Sequence, residues 1–262
     1  MRTYRQFAAV YDRLMEDMPY SDWMSFARRC WDRYGIPHTV VDLGCGTGNL
    51  TIPLARSGFS VFGIDISTEM LSVARNKWDG PSSRGSYRDE PGTIRWLQQD
   101  MRDWELPHPV DAVISFCDCL NYLTDPEDVT ATIQRTYEGL APGGLFLFDM
   151  HSPRQLERYA EEQPFVYDEA DIAYLWVSEY DEERMEIEHA LTFFIREEQT
   201  SRGEALYSRF EESHVQRAYN PDWVEKQLTA TGFELLHRVA DFTWDKPSEE
   251  SERLFFVARK PE

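Results

Sequence analysis

The chain has 262 residues, of which 42% are hydrophobic and 14% aromatic. This length and composition exclude a disordered protein and fit one large domain, or one domain with a sizeable insertion. Asp and Glu number 47 against 27 Lys and Arg, which gives a formal net charge of −20. Such a charge repels nucleic-acid phosphates and anionic lipid surfaces, so we expect neither as a partner.

Neither a membrane span nor a signal peptide is predicted. The longest apolar stretches, at 112–116 and 145–148, are too short to cross a bilayer, and residues 1–7 lack the apolar run of a signal peptide. Four cysteines in a chain of this length form no disulfide framework, so we expect a cytoplasmic protein. Cys117 and Cys119 have no second pair or nearby His to complete a zinc site, and no metal centre is predicted.

Two amphipathic helices are predicted within the first 37 residues. Apolar residues recur at helical spacing over 7–14 and again, after Pro19, over 23–34. From residue 39 the pattern alternates between strands and helices, which is typical of a parallel sheet with helices on its faces. The predicted strands are 39–43, 60–65, 93–98, 111–116 and 145–149, and helices are predicted over 50–56, after Ser67 and from Pro126.

The period changes in the second half of the chain. Apolar and polar residues alternate over 185–196, and similar runs at 172–180 and 204–217 flank this segment, which predicts an antiparallel meander. We predict that 152–217 is an inserted lid and that 1–151 with 218–262 forms the core domain. The core is predicted to close with a helix from Asn220 to Gly232 and with strands 233–242 and 254–259, and the Gly-, Pro- and Ser-rich segment 79–92 is predicted to be a mobile loop.

One motif at the end of the first strand carries chemical information. Asp42-Leu43-Gly44-Cys45-Gly46-Thr47-Gly48 joins that strand to a helix, and Asp65 ends the next strand, 19 residues after Gly46. A glycine turn lets backbone N–H groups approach a ligand closely, and an acidic residue at the end of the second strand can accept both hydroxyls of a ribose. The glycine turn and Asp65 together predict a nucleoside ligand.

Together with Asp100-Met101 after the third strand, these residues resemble the class I S-adenosylmethionine-dependent methyltransferases over about residues 39–151. The resemblance implies a Rossmann-like α/β fold with a seven-stranded, mostly parallel sheet, N-terminal helices and the inserted antiparallel β-meander lid. It implies S-adenosyl-L-methionine as cofactor and S-adenosyl-L-homocysteine as product. The residues that it implies for cofactor binding are Tyr11, Asp42, Gly44, Cys45, Gly46, Asp65, Ile66, Asp100, Met101 and Phe116.

The N-terminal helices and the meander resemble those of small-molecule N-methyltransferases, in which such segments close over the site. This makes Tyr11, Tyr20 and Arg28 candidates for contact with cofactor or substrate, although a Tyr on an amphipathic helix is more often part of the core edge. His151 is the candidate general base, because it follows the fifth strand and imidazole titrates near neutrality. Tyr20 is the second candidate catalytic residue.

The predicted reaction is methyl transfer by in-line displacement to a small-molecule acceptor, at nitrogen rather than oxygen. The absence of Asn-Pro-Pro-Tyr/Phe after the fourth strand, where 116–119 reads Phe-Cys-Asp-Cys, disfavours nucleic-acid bases as substrates. Two other functions stay open, a non-catalytic S-adenosylmethionine-binding partner protein and an NAD-dependent oxidoreductase. Asn49 disfavours the latter because it replaces the third glycine of the dinucleotide motif. The meander could also form a homodimer interface through a face bearing Trp176, Phe193, Phe194 and Tyr207.

Overall fold

The computed structural model describes residues 2–79, 92–197 and 205–262. The helices are α1 (Arg2–Leu14), α2 (Tyr20–Tyr34), α3 (Thr51–Arg56), α4 (Thr68–Asp79), α5 (Pro126–Gly139), α6 (Pro153–Glu162) and α7 (Pro221–Thr231). The strands are β1 (Thr39–Leu43), β2 (Ser60–Asp65), β3 (Ile94–Gln98), β4 (Val110–Ser115), β5 (Leu140–His151), β6 (Phe165–Asp168), β7 (Ile172–Asp181), β8 (Glu186–Arg196), β9 (Tyr207–Arg217), β10 (Glu234–Ala240) and β11 (Arg253–Arg259). None of the helices in these ranges is long and apolar enough to cross a membrane.

Seven strands form one sheet in the order β10-β11-β5-β4-β1-β2-β3. The strands β1 to β5 pair in parallel, whereas β11 pairs antiparallel with both β5 and β10. This confirms the predicted seven-stranded, mostly parallel sheet. Helices α2 and α3 pack on one face of the sheet, and α5 and α7 pack on the other.

The helix ends follow the local signals that the sequence indicated. The Ser67 hydroxyl accepts a hydrogen bond from the Met70 N–H at 3.2 Å, and Asn220 caps α7 by accepting from the Asp222 N–H at 2.8 Å. Gly232 ends α7 with φ of 112°, a left-handed conformation that glycine adopts without strain. These contacts fix the start of α4 and both ends of α7.

Two elements differ from the sequence prediction. Helix α6 lies in the segment assigned to the start of the lid, and it was not predicted although Ser152 caps it and Pro153 is its first residue. Strand β5 begins at Leu140 rather than 145, since Leu140 pairs with Val110 on β4. Residues 80–91 of the predicted mobile loop lie outside the described residues.

The second sheet, here called the lid sheet, contains β6, β7, β8 and β9 in that order, all antiparallel. Its inner face packs on α1 through Phe7 against Phe193 and Phe210, and on α6 through Leu156 against Ile187. The lid sheet therefore contacts both the N-terminal helix and the core. The domain boundaries at 152 and 217 stay a prediction.

The sequence interpretation placed four aromatic residues on one face of the lid, and the structure corrects this. Phe193 is fully buried on the inner face, and Trp176 lines a cavity on the same side. Phe194 and Tyr207 lie on the outer face, because neighbouring residues of a strand point to opposite sides. The homodimer through the lid stays a prediction and no longer rests on Phe193 or Trp176.

Candidate active site

A cavity of about 720 Å³ lies between the carboxyl edge of the parallel strands, α1 and the lid sheet. Twelve of the thirteen candidate residues predicted from the sequence for binding or catalysis line it, all except Arg28. The twelve are Tyr11, Tyr20, Asp42, Gly44, Cys45, Gly46, Asp65, Ile66, Asp100, Met101, Phe116 and His151. The structure thus brings these residues together, while the role of each one stays a prediction.

Strand order sets the layout of the cavity. The glycine loop 44–48 follows β1 in the middle of the edge, with Asp65 as the last residue of β2 and Asp100 after β3 on one side. On the other side Phe116 follows β4, and His151 is the last residue of β5. Because neighbouring strands lie about 4.8 Å apart, the cavity spans several strand widths, from an acidic end at β3 to an end covered by the lid sheet.

The Asp65 carboxylate braces the glycine loop. Its Oδ2 accepts a hydrogen bond from the Gly46 N–H at 2.7 Å, and its Oδ1 accepts from the Ser67 N–H at 2.8 Å. A carboxylate offers about four lone-pair positions, so each oxygen can still accept one more donor. Burial raises the pKa of Asp65, while the two N–H donors act to lower it. This arrangement leaves capacity for the two hydroxyls of a ribose.

Asp42 precedes the glycine loop and is hydrogen-bonded to α3, the helix that follows the loop. Its side chain is 2% exposed, and its Oδ2 accepts a hydrogen bond from the Thr51 hydroxyl at 2.5 Å. Burial raises the pKa of Asp42 to about 7, against the lowering effect of the Thr51 hydroxyl. The carboxyl group therefore supports the junction between β1 and α3.

We expect Asp42→Asn to change how stability depends on pH. The folded pKa of about 7 lies above the unfolded value of about 3.9, so the contribution of this group is present at low pH and falls as pH rises toward 7. The loss is at most about 1.4 kcal/mol per pH unit. Urea unfolding of both proteins at pH 5, 6 and 7 should show a flatter profile for the variant, and parallel profiles would contradict the assignment.

Asp100 is held by its neighbour Arg102. The guanidinium of Arg102 donates to both carboxylate oxygens, through Nε at 2.9 Å and Nη2 at 2.6 Å, and it also donates to Asp128 of α5 at 2.9 Å. These hydrogen bonds lower the pKa of Asp100. The Arg102 backbone N–H takes a further site on Oδ1, which leaves one position on Oδ2 for an amino group.

Helix α1 is joined to the glycine loop by a contact that the sequence did not indicate. Asp12 accepts hydrogen bonds from the Thr47 hydroxyl at 2.5 Å and the Asn49 amide at 3.1 Å, and it pairs with Lys77 of α4 at 2.7 Å. Tyr11 and Tyr20 line the cavity beside this contact. The candidate Arg28 does not line it. Arg28 donates instead to the Ser57 hydroxyl on the outside of the protein, because it lies on the exposed side of α2.

At the other end of the cavity, Arg253 lies between the fully buried carboxylate of Asp149 and the partly buried carboxylate of Asp118. It donates to Asp118 at 3.0 Å and to Asp149, and its guanidinium covers the Trp23 ring at 5.1 Å. Asp118 also accepts a hydrogen bond from the Gln216 amide of β9 at 2.8 Å, which links the lid sheet to the core. We call Asp118, Asp149 and Arg253 the acidic triad.

His151 contacts the acidic triad and is held as a neutral imidazole. Arg253 Nη2 lies 2.7 Å from its Nε2, and an arginine can only donate, so the Nε2 lone pair is occupied. Burial lowers the pKa of His151 to about 4. Its Nδ1 has no protein partner within the part of the chain that the structure describes. The prediction that His151 acts as a general base is therefore not supported by this geometry.

Two more histidines, on the lid sheet, line the same end of the cavity. His189 accepts hydrogen bonds at Nδ1 from the Trp176 indole at 3.0 Å and from the Ser178 hydroxyl at 2.8 Å, and burial lowers its pKa to about 4. His214 lies against Phe7, and burial lowers its pKa as well. Neither side chain is positioned as a strong base.

Comparisons with known proteins identify the family of the chain. Residues 40–144 match a family model described as a methyltransferase domain. The chain is 39% identical to YqeM of Bacillus subtilis (strain 168), over 98% of this chain and 97% of that protein. It is 38% identical to a Geobacillus sp. (strain WCH70) protein, over 98% of this chain and 100% of that protein, and both relatives are assigned to the methyltransferases. A solved S-adenosylmethionine-dependent methyltransferase from Clostridium acetobutylicum ATCC 824 matches with a TM-score of 0.83 and 28% identity, covering 99% of both chains.

The chain belongs to the S-adenosylmethionine-dependent methyltransferases, and it is an enzyme of that class. The residues of the cavity fit the cofactor. At Gly46, which has φ of 52°, a side chain would meet no atom within 4 Å, so the turn leaves open space for a ligand. Ile66 presents an apolar side chain that is 65% exposed beside Asp65, as an adenine platform requires. This assignment replaces the two alternative functions that the sequence left open, an NAD-dependent oxidoreductase and a non-catalytic partner protein.

Proposed function

We propose that this enzyme transfers a methyl group to a nitrogen atom of a small-molecule acceptor. The observation that carries the proposal is that the basic groups described around the acceptor end of the cavity are weak or already engaged. S-adenosylmethionine supplies an electrophilic methyl group on a sulfonium sulfur, open to in-line displacement. A neutral amine is nucleophilic without losing a proton first, whereas an alcohol needs a base.

The protonation states of the side chains around the acceptor end support nitrogen. Arg253 donates to Nε2 of His151, and the Trp176 indole donates to Nδ1 of His189, so the basic nitrogen of each ring is already hydrogen-bonded. Burial lowers the pKa of both histidines to about 4. Burial raises the pKa of Tyr20 to about 12, so its phenol stays protonated near neutral pH. These groups can orient an acceptor, and they are poorly suited to ionise a hydroxyl.

The shape of the cavity supports a small acceptor. Helix α1 and the lid sheet cover it, with Phe7 packed on Phe193 and Tyr11 on Phe7 at ring distances of 5.6 Å. A cavity of about 720 Å³ suits a cofactor with a small second molecule. The formal charge of −20 disfavours a nucleic-acid substrate. We also propose that the enzyme is cytoplasmic and has no membrane partner.

The division of roles follows the layout of the strands. Asp65 and Ile66 would hold the ribose and adenine, Asp100 and Met101 the adenine edge, and the glycine loop the methionine portion. Asp42 would support that loop from below, and Phe116 would lie near the reacting methyl group. Tyr11 and Tyr20 would close the cavity from the side of the N-terminal helices.

The test is a screen of small amines and their hydroxyl counterparts, with release of S-adenosylhomocysteine as the measured product. Transfer RNA and a pool of unfolded protein serve as macromolecular controls. We expect turnover with one or more of the small amines. Turnover with a macromolecule and not with the small compounds would contradict the proposal.

We expect His151→Gln to retain most of its turnover with an amine acceptor, within about tenfold of the parent. Gln can place an oxygen near the position of Nε2 and still accept from Arg253, but it cannot take up a proton. Loss of a general base would lower the rate by about 10²- to 10⁴-fold. Rates measured from pH 6 to 9 should follow the pKa of the acceptor amine in both proteins. A drop of a hundredfold or more in the variant would restore His151 as the base.

A further inference from the structure

The acidic triad carries one more negative charge than positive charge, and it lies at the acceptor end of the cavity. Asp118 and Asp149 both contact the single guanidinium of Arg253, and no other Lys or Arg among the described residues contacts either carboxylate. Asp118 and Arg253 line the cavity, and the Asp149 side chain is fully buried. An excess charge in a largely buried position is unfavourable unless an opposite charge neutralises it.

The direct partners of Asp118 leave part of its carboxylate unused. Oδ1 accepts from Arg253 and lies 3.4 Å from Nε2 of the neutral His151, whose lone pair faces Arg253, and Oδ2 accepts from Gln216. Hydrogen bonds therefore occupy two of about four lone-pair positions. The neighbouring His151 is neutral, has an exposed fraction of only 5%, and keeps an unpartnered Nδ1. The triad therefore has spare acceptor capacity and an adjacent buried polar group that no described residue satisfies.

The reaction moves positive charge toward this end of the cavity. An aliphatic amine is mostly an ammonium at pH 7 and first loses its proton to water to give the neutral form. The nitrogen of that neutral form bonds to the methyl carbon with its lone pair, the carbon–sulfur bond breaks, and its electrons remain on sulfur. Positive charge thereby passes from sulfur to nitrogen, and the resulting ammonium later loses a proton to water or leaves as a cation. A fixed negative charge beside that nitrogen stabilises the transition state more than the neutral amine.

We propose that Asp118 is a catalytic residue that accepts an N–H hydrogen bond from the acceptor amine, and that the excess negative charge of the acidic triad selects aliphatic amines that become cationic. The inference rests on the proposed nitrogen acceptor and adds the group that recognises it. Asp149 acts as a positioning residue, since it contacts Arg253 and the Asp118 N–H. Gln216 orients the second oxygen of Asp118 from the lid sheet.

The test needs no knowledge of the acceptor. Sinefungin carries an amine where S-adenosylmethionine carries its sulfonium methyl group, and that alkylamine is protonated at pH 7, whereas S-adenosylhomocysteine has no charge at that position. Calorimetric titration of the full chain with both ligands measures the preference for a cation at this point. We expect Asp118→Asn and Asp149→Asn each to lower the affinity for sinefungin about tenfold or more relative to S-adenosylhomocysteine.

Two features of the design keep the outcome decisive. Asp149→Asn removes the excess charge and leaves the pair of Asp118 with Arg253 in place, so it decides the question if Asp118→Asn does not fold. The matched control is Asp111→Asn, at the opposite end of β4, where the carboxylate accepts from the His38 and Thr39 N–H groups. It should leave the ratio of the two affinities unchanged.

The two ligands losing affinity by equal factors, or neither losing it, would overturn the inference. The result is independent of the amine screen. A selective loss of sinefungin affinity together with a failed screen would count against the proposed nitrogen acceptor alone. Methylation of an amine with an unchanged ligand ratio would count against the role of the acidic triad alone.

Discussion

Asp65→Ala is expected to lower the affinity for S-adenosylmethionine by about 10- to 100-fold, equivalent to about 1.5–3 kcal/mol. The carboxylate performs two tasks, since it braces the glycine loop through the Gly46 N–H and leaves one free position on each oxygen for the ribose hydroxyls. Hydrogen bonds to a charged acceptor are the stronger class, so both losses are large. Calorimetric titration measures the effect directly.

A suitable control for this substitution is Asp103→Ala. Asp103 is an exposed carboxylate near the same edge of the sheet, after Met101, and it does not line the cavity. We expect it to leave affinity within about twofold of the parent, as is usual for exposed surface positions. If Asp65→Ala also bound S-adenosylmethionine with unchanged affinity, the ribose assignment would be wrong.

Arg253→Met is expected to lower the free energy of unfolding at pH 7 by about 3–5 kcal/mol. Met fills much of the same space and removes the charge, which leaves the carboxylates of Asp118 and Asp149 without their cation. At present Arg253 acts to lower the pKa of both groups. Burial already raises the pKa of Asp149 to about 6, and without Arg253 it increases further. The pKa of Asp118 loses a contact that lowers it and rises as well.

The sign of the pH effect follows from that rise. A group whose folded pKa is raised stabilises the protein at low pH and loses that contribution as pH increases through its folded pKa. The difference in free energy of unfolding between the parent and Arg253→Met should therefore be smaller at pH 5 than at pH 7. Urea unfolding of both proteins at the two pH values measures this difference. The matched control is Arg259→Met at the other end of β11, where an exposed pair with Glu234 contributes at most about 1 kcal/mol. Equal losses in the two variants would refute the assignment.

Local signals were sufficient for the core and for the cofactor end of the site. The β-branched run before the glycine turn, the caps at Ser67 and Asn220, and the acidic residue that ends β2 are each encoded within a few neighbouring residues. Sheet order then places their side chains at one edge. Helix α6 carries such signals too, with a Ser152 cap, Pro153 at its first position and Leu156, Tyr159 and Ala160 at helical spacing. It was missed because the whole segment was assigned to the antiparallel lid.

The acceptor end of the site could not be predicted in the same way. Asp118 and Arg253, which form an ion pair, are 135 residues apart in the sequence. The Trp23 indole donates a hydrogen bond to Asp149 at 3.2 Å, and these two residues are 126 apart. No spacing in the sequence reports that these groups meet, because the contact arises when β11 returns beside β5 at the end of the chain. The occupied lone pair of His151 depends on the same contact, which is why a histidine after β5 suggested a base that the geometry does not support.

The position of the transferred methyl group tests the central claim most directly. An amino alcohol that emerges from the acceptor screen carries both candidate nucleophiles in one molecule, so access and binding are the same for each. The product can be isolated and its new methyl carbon located by NMR. The proposed chemistry predicts an N-methyl product with an unmodified hydroxyl. An O-methyl product with a free amine would contradict it.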